Sequence, residues 1–384
     1  MSAVEISRDG PSLLDGYRSV MCEGTLETLA GLARRLRGHR IAMVNSTATG
    51  GGVAEILHRL VRLLDELGVP VSWEVMPGDA RFYGITKTVH NALHGWPGAL
   101  DDDDRAYYLE ANRRAAQELA LDGDLVLIHD PQPAALAGLR RSGGQRWVWR
   151  CHIDLSRADQ AVWEFLSPHV GRYDAAVFSH ADFVPPLGIP GYLAPPSIDP
   201  LSDKNRELPE EEIDALLARR REKAHLVLAG GSADDDPEGA EVLAEVRARA
   251  GGRSDISVLL LPPDAHLIVN ALQRRSTVVV QKSLREGFAL TVSEALWKRR
   301  AVVAGAVGGI PLQVIHERTG LLVRSVEGCA YQLIRLLRNA ALRRRLGREG
   351  REHVRDNFLH PREARDYLAI FTHLLRNGNG GNGG

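Results

Sequence analysis

Short apolar runs of strand length alternate along the chain with longer stretches whose apolar residues recur at helical spacing. The runs are IAMVN (41–45), VSWEVM (71–76), LVLIH (125–129), RWVWRCH (146–152) and AAVFS (175–179), then HLVLAG (225–230), ISVLLL (256–261), TVVVQ (277–281) and AVVAG (301–305). Runs that are apolar throughout, not at alternate positions, predict strands buried on both faces, and intervening helices predict parallel sheets. The expected class is α/β, doubly wound. The pattern breaks at PPSIDPLSDKNRELPEEE (195–212), where prolines and charges interrupt it. This predicts an N-terminal domain over 1–204 and a second domain over 205–359, entered through a charged helix from Leu208 to Lys223. The segment HPREARDYLAIFTHLL (360–375) is expected to cross back and complete the first domain, and the glycine-rich end (376–384) to be a disordered tail.

A length of 384 residues suits two such domains, and two domains make a cleft. Composition narrows what enters it. Lys plus Arg (48) nearly cancels Asp plus Glu (49), so no basic field recommends nucleic acid or a membrane surface, and a small molecule is the expected partner. Cys22, Cys151 and Cys329 lack paired spacing, which argues against disulfides and zinc and for a reducing compartment. The N-terminus has no signal-peptide core and no run has transmembrane length, so the expected location is cytoplasmic.

Candidate chemistry lies beyond the carboxyl ends of strands, where open α/β sheets bind ligands. Gly50, Gly51 and Gly52 separate the first strand from a helix N-terminus; three glycines exceed what a plain turn requires and allow close approach of an anion or a sugar oxygen. His129 and His152 each end a strand, and aspartates follow closely at Asp130 and Asp154. A lone histidine there is commonly structural, but two such pairs form a polar cluster that costs stability unless used. Trp147, Trp149 and Trp163 read as core or interface, Arg219 to Arg221 as a solvated face, and Asp101 to Asp104 as a helix cap, since four adjacent carboxylates cannot converge on one metal. In REGFALTVSE (285–294), Glu286 lies on a loop at a strand's carboxyl end and Glu294 just inside the next helix, so both can accept vicinal hydroxyls from a sugar or a ribose.

Glu286 and Glu294 match the E-x7-E signature of glycosyltransferase family 4, retaining enzymes of the GT-B fold, in which two Rossmann-like domains face each other across a cleft. NSTATGGGVAEILH, WEVMPGDARFYGITKTVHNALHG, HDPQP, RCHIDLS, PPSIDPLSDKNREL, QKSLREGF and SEALWK resemble the trehalose glycosyltransferring synthases of that family, over roughly residues 25 to 375. The resemblance implies a retaining glucosyltransferase that joins ADP- or UDP-glucose to glucose, with an acceptor domain first and a nucleotide-sugar domain second. It implies catalytic roles for His152 and Glu286. Gly50 to Gly52 would lie against the donor diphosphate, backbone N–H groups of Gly287, Phe288, Ala289 and Leu290 would meet the phosphate, and Glu294 would take the ribose. It further implies acceptor contacts from Asn45, Glu55, Lys87, Asn91, Asp130 and Asp154. No metal and no cofactor is required on this reading, with Mg2+ at most a stimulant, and a homodimer is compatible with it. Retention is explained there by front-face attack, so the protein must stabilise diphosphate and oxocarbenium charge and supply no covalent nucleophile.

One departure stands out. Relatives open the second domain with a strand and loop of the form RFD-x-x-KD, whose cations hold the donor phosphates. Here EIDALLARRREKA passes directly to HLVLAGGSADDDPEG, as though roughly thirty to forty residues, one βα unit, were missing from the usual strand order 3-2-1-4-5-6. The lost strand is the central one, so the sheet must reclose, be rebuilt or leave unpaired edges. Lys282 and Arg285 are the expected substitutes for the lost cations. A trehalose phosphorylase and a catalytically impaired sugar-binding relative are the alternatives this leaves open.

Overall fold

The structure, a computed structural model, describes residues 3–5, 10–22, 24–49, 51–140, 143–218, 226–231 and 238–378. The first sheet is parallel throughout. It contains β1 (Ile41–Asn45), β2 (Val71–Val75), β3 (Leu125–His129), β4 (Arg146–Arg150), β5 (Ala175–Phe178) and β6 (Gly191–Leu193), in the order β2-β1-β3-β4-β5-β6. Strand alternation sends Ala42, Val44, Trp147 and Trp149 into one apolar layer and Ile41, Met43, Leu125 and Leu127 into the other, which is why these runs are apolar at every position. The chain goes outward from β1 to β2 and returns to β3, so the winding reverses between β1 and β3. Crevices for ligands form at such reversals.

Helix His360–Gly378 returns to this domain and buries Tyr367, Leu368 and Phe371 in the same layer as Met43 and Leu60. Its entry is pinned by a bridge between Ile198 and Leu359 and by hydrogen bonds from the Ser197 hydroxyl to Glu363 and between Ser197 and His360. The helix continues to Gly378, so the first residues of the expected disordered tail are helical; 379–384 lie outside the described residues. Asp101 caps helix Asp102–Glu118 by accepting the N–H of Asp104, the role foreseen for that acidic run. Arg219 to Arg221, and the part of the charged helix beyond Ala218, also fall outside the description.

In the second domain, β7 (Leu226–Gly231) pairs only with β8 (Ile256–Leu261), while β9 (Val278–Gln281), β10 (Ala301–Gly305) and β11 (Leu321–Val323) form a separate sheet in the order β11-β10-β9. Among the described residues the sheet has neither reclosed nor been rebuilt. In the usual order the absent first strand would lie between β7 and β9, and among the described residues neither strand has a partner on that side. The apolar run HLVLAG implied burial on both faces, yet every residue of β7 is exposed, Leu226 by 46%, Val227 by 40% and Leu228 by 39%. That expectation fails: the two-stranded sheet leaves both faces of β7 open. By contrast β10, paired on both sides, is buried along its whole length. No described helix is long and apolar enough to cross a membrane.

Candidate active site

The glycine loop after β1 leads into the sixteen-residue helix Gly51–Glu66. Gly51 has φ +74°, a left-handed conformation that glycine adopts without strain. A Cβ on Gly52 would lie 3.1 Å from Leu290 of the second domain, so the helix start and the GFAL segment meet across the cleft. Gly50 lies outside the described residues. Asn45 is committed within its own loop: its side-chain amide donates to Thr47 O (2.6 Å), and its Oδ1 accepts from Trp73 Nε1 (2.7 Å).

His129 and His152, at the ends of β3 and beyond β4, come together with Nδ1 of the first 3.1 Å from Nε2 of the second. The rings stack with centroids 5.5 Å apart. Burial and then the nearby Arg150 guanidinium push the imidazole of His129 down to about 3 and that of His152 well below its usual range, so both are neutral. Asp130 links them. It occupies the left-handed region (φ 64°), its Oδ1 accepts the backbone N–H of His152 (2.9 Å), and burial raises its carboxyl to about 6. Asp154 turns its own loop by accepting the N–H of Ser156 (2.9 Å).

Opposite them, a Cβ on Gly287 would stand 2.7 Å from the carbonyl oxygen of His152. Only glycine lets the two loops touch. Glu286, next to it, is raised by burial and partly offset by hydrogen bonds from Ser283 and from the N–H groups of Gly287, Ala289 and Phe288. The Glu286 carboxylate accepts from the Ser283 hydroxyl (3.3 Å), and Ala289 is bent into the left-handed region (φ 67°). Arg285 donates to His94 O (2.6 Å) and lies over the ring of Trp96 (4.4 Å), so it is spent on holding the domains together. Lys282, the other expected cation, makes no hydrogen bond or ion pair with any described residue. Burial lowers the His94 imidazole; Asp154 opposes this while Arg285 and Lys87 add to it, which places all four groups in one electrostatic neighbourhood. The Asn91 side chain, half-buried on the same helix as Lys87, bonds to no other described residue.

Glu294 is 2% exposed and already engaged. Lys204, from the segment between the domains, reaches Glu294 Oε1 (3.1 Å) and both oxygens of Glu55 (3.0 and 3.1 Å), while Gln273 Nε2 donates to the other oxygen of Glu294 (3.3 Å). Burial works against the Lys204 ammonium, and the two carboxylates outweigh it and raise its pKa. Behind them Lys298 donates to Gln273 Oε1 (2.7 Å) and Asn205 Oδ1 (2.9 Å), and burial drops it to about 7. Glu55 and Glu294, assigned from sequence to different substrates, are therefore bridged by one lysine. Lys204, Gln273 and Lys298 escaped the sequence reading; the lysine inside SIDPLSDKN, a polar residue in the interdomain segment, was the available signal. No described group of three or more His, Cys, Asp or Glu side chains could hold a metal.

Residues 43–185 match the N-terminal domain of trehalose synthase, and residues 203–353 match the glycosyl transferases group 1 domain. The chain is 41% identical to a trehalose synthase of Rubrobacter xylanophilus, over 95% of this chain and 98% of that protein. It is 37% identical to one of Pyrococcus horikoshii, over 97% and 99%. An alignment of 408 positions that uses 95% of this chain leaves about forty positions where it has no residue, the size of one βα unit. In structure, a trehalose-6-phosphate synthase superposes with a TM-score of 0.68 at 15% identity, covering 88% of this chain and 99% of that one, which places the fold as GT-B.

Proposed function

Because the chain belongs to the trehalose synthases of the group 1 glycosyltransferases, hexosyltransferases of GT-B fold, we propose that it transfers glucose from ADP- or UDP-glucose to free glucose with retention, forming trehalose. The observation that carries the reading is the contact of His152 with Gly287, which brings the sugar-side loop of one domain onto the donor-side loop of the other, beside Glu286. His152 donates a hydrogen bond to the transferred glucose and Glu286 accepts its hydroxyls. Both act on the sugar as positive charge develops at its reacting carbon, and the departing diphosphate takes the proton of the attacking hydroxyl. Glucose, the acceptor, lies between the glycine loop and the groups around Asp130, Asp154 and Lys87.

The diphosphate is the weak point. Each charge-assisted contact to a phosphate contributes about 1.5–3 kcal/mol, and the pair expected on the absent unit is not here. Lys282, just after β9 and unpaired among the described residues, is the cation this reading assigns to one of them, and the start of helix Gly51–Glu66 adds a positive helix end. The reading therefore includes weaker donor binding than in relatives that keep the unit.

The test is to incubate the protein with glucose and either ADP-glucose or UDP-glucose and identify the disaccharide by NMR. Trehalose is the expected product. Synthesis only from glucose 1-phosphate would make it a phosphorylase, and glucose binding without turnover of any donor would make it a sugar-binding relative.

A further inference from the structure

We infer that His129 is a positioning residue that fixes the tautomer of His152, so that the N–H which His152 offers to the cleft is on Nδ1. The inference builds on the proposed role of His152 as a donor to sugar. Its starting point is geometric. His129 Nδ1 and His152 Nε2 are 3.1 Å apart, and a single proton must lie between them. With both rings neutral, each carries one N–H, so only two arrangements exist.

In one, His152 Nε2–H donates to His129. That leaves His129 with its own N–H on Nε2, an atom sealed from solvent and without a hydrogen-bond partner among the described residues. In the other, His129 Nδ1–H donates to His152, and the sealed atom is a lone pair. An orphaned buried N–H is the rarer and costlier defect. His152 thus accepts at Nε2 and keeps its proton on Nδ1, which no described residue uses. A buried histidine without contact to the ligand would decide which end of its neighbour can donate.

Nitrogen-15 NMR of the ligand-free protein, labelled in its histidines, reads this directly. The expected spectrum has both His152 and His129 protonated at Nδ1 and unprotonated at Nε2. Protonated Nε2 on His152 overturns the assignment. His129→Leu removes the donor and should lower kcat about tenfold to a hundredfold with little change in KM for glucose, whereas His129→Asn, which can still donate to Nε2, should recover most of it. Equal losses in the two variants overturn the assignment as well. If a variant fails to fold, the wild-type spectrum alone still decides. The expected tautomer without turnover from any donor upholds the role of His129 and overturns the functional reading instead.

Discussion

At Asp130 two costs coincide: a left-handed backbone, and a carboxyl that desolvation raises to about 6 from an ordinary value of 3.8. Costs of this kind are tolerated where a site requires them. A folded-state pKa above the unfolded one means the native protein binds this proton more tightly, so the group favours folding at low pH, and that contribution is lost as pH rises from about 4 to about 6. Asn at this position keeps the acceptor for the His152 N–H and tolerates positive φ, but carries no charge. Asp130→Asn is therefore expected to stabilise the protein at pH 7 by about 1–3 kcal/mol, read as a higher denaturation midpoint, while trehalose synthesis falls; a destabilised variant contradicts this. Residues such as His129, His152, Glu286 and Glu294 were legible because strand ends and loop starts identify themselves locally. The Lys204 bridge was not, since its partners Glu55 and Glu294 are 149 and 90 positions away and no spacing rule reaches that far.

Among the elements, the long apolar strands could be read from their composition, but β6 and β11 could not: with three residues each they are too short for periodicity to register. β7 shows the opposite limit. Its composition states what the strand needs, a covered position, while the fold supplies a partner on one edge only. An exposed apolar edge is a place for another strand to add. Hydrogen exchange followed by mass spectrometry should find β7 amides much less protected than those of β10, and Val227→Lys should reduce self-association in light scattering without loss of turnover. Protection equal to that of β10 would show that something covers the edge in solution.

For the whole molecule, the two domains are joined by more than their linker. The return helix completes the first core, Arg285 anchors the second domain on His94 and Trp96, and Lys204 ties Glu55 to Glu294. The sequence pattern announced two α/β domains, and the family resemblance a missing unit. It could not announce how the second sheet would respond, because that depends on long-range pairing. The response is a split sheet whose three-stranded part, β9 to β11, still presents Glu286 and Glu294 to the first domain. The central claim is that this part suffices for transfer. It is tested most directly by supplying glucose with ADP- or UDP-glucose labelled with carbon-13 at C1 of the glucosyl group, and following the label in the wild-type protein and in Glu286→Ala. The account predicts that the label appears in α,α-linked trehalose with the wild-type protein and that transfer is lost in the variant. Labelled donor left intact by the wild-type protein, or equal transfer by both, would contradict it.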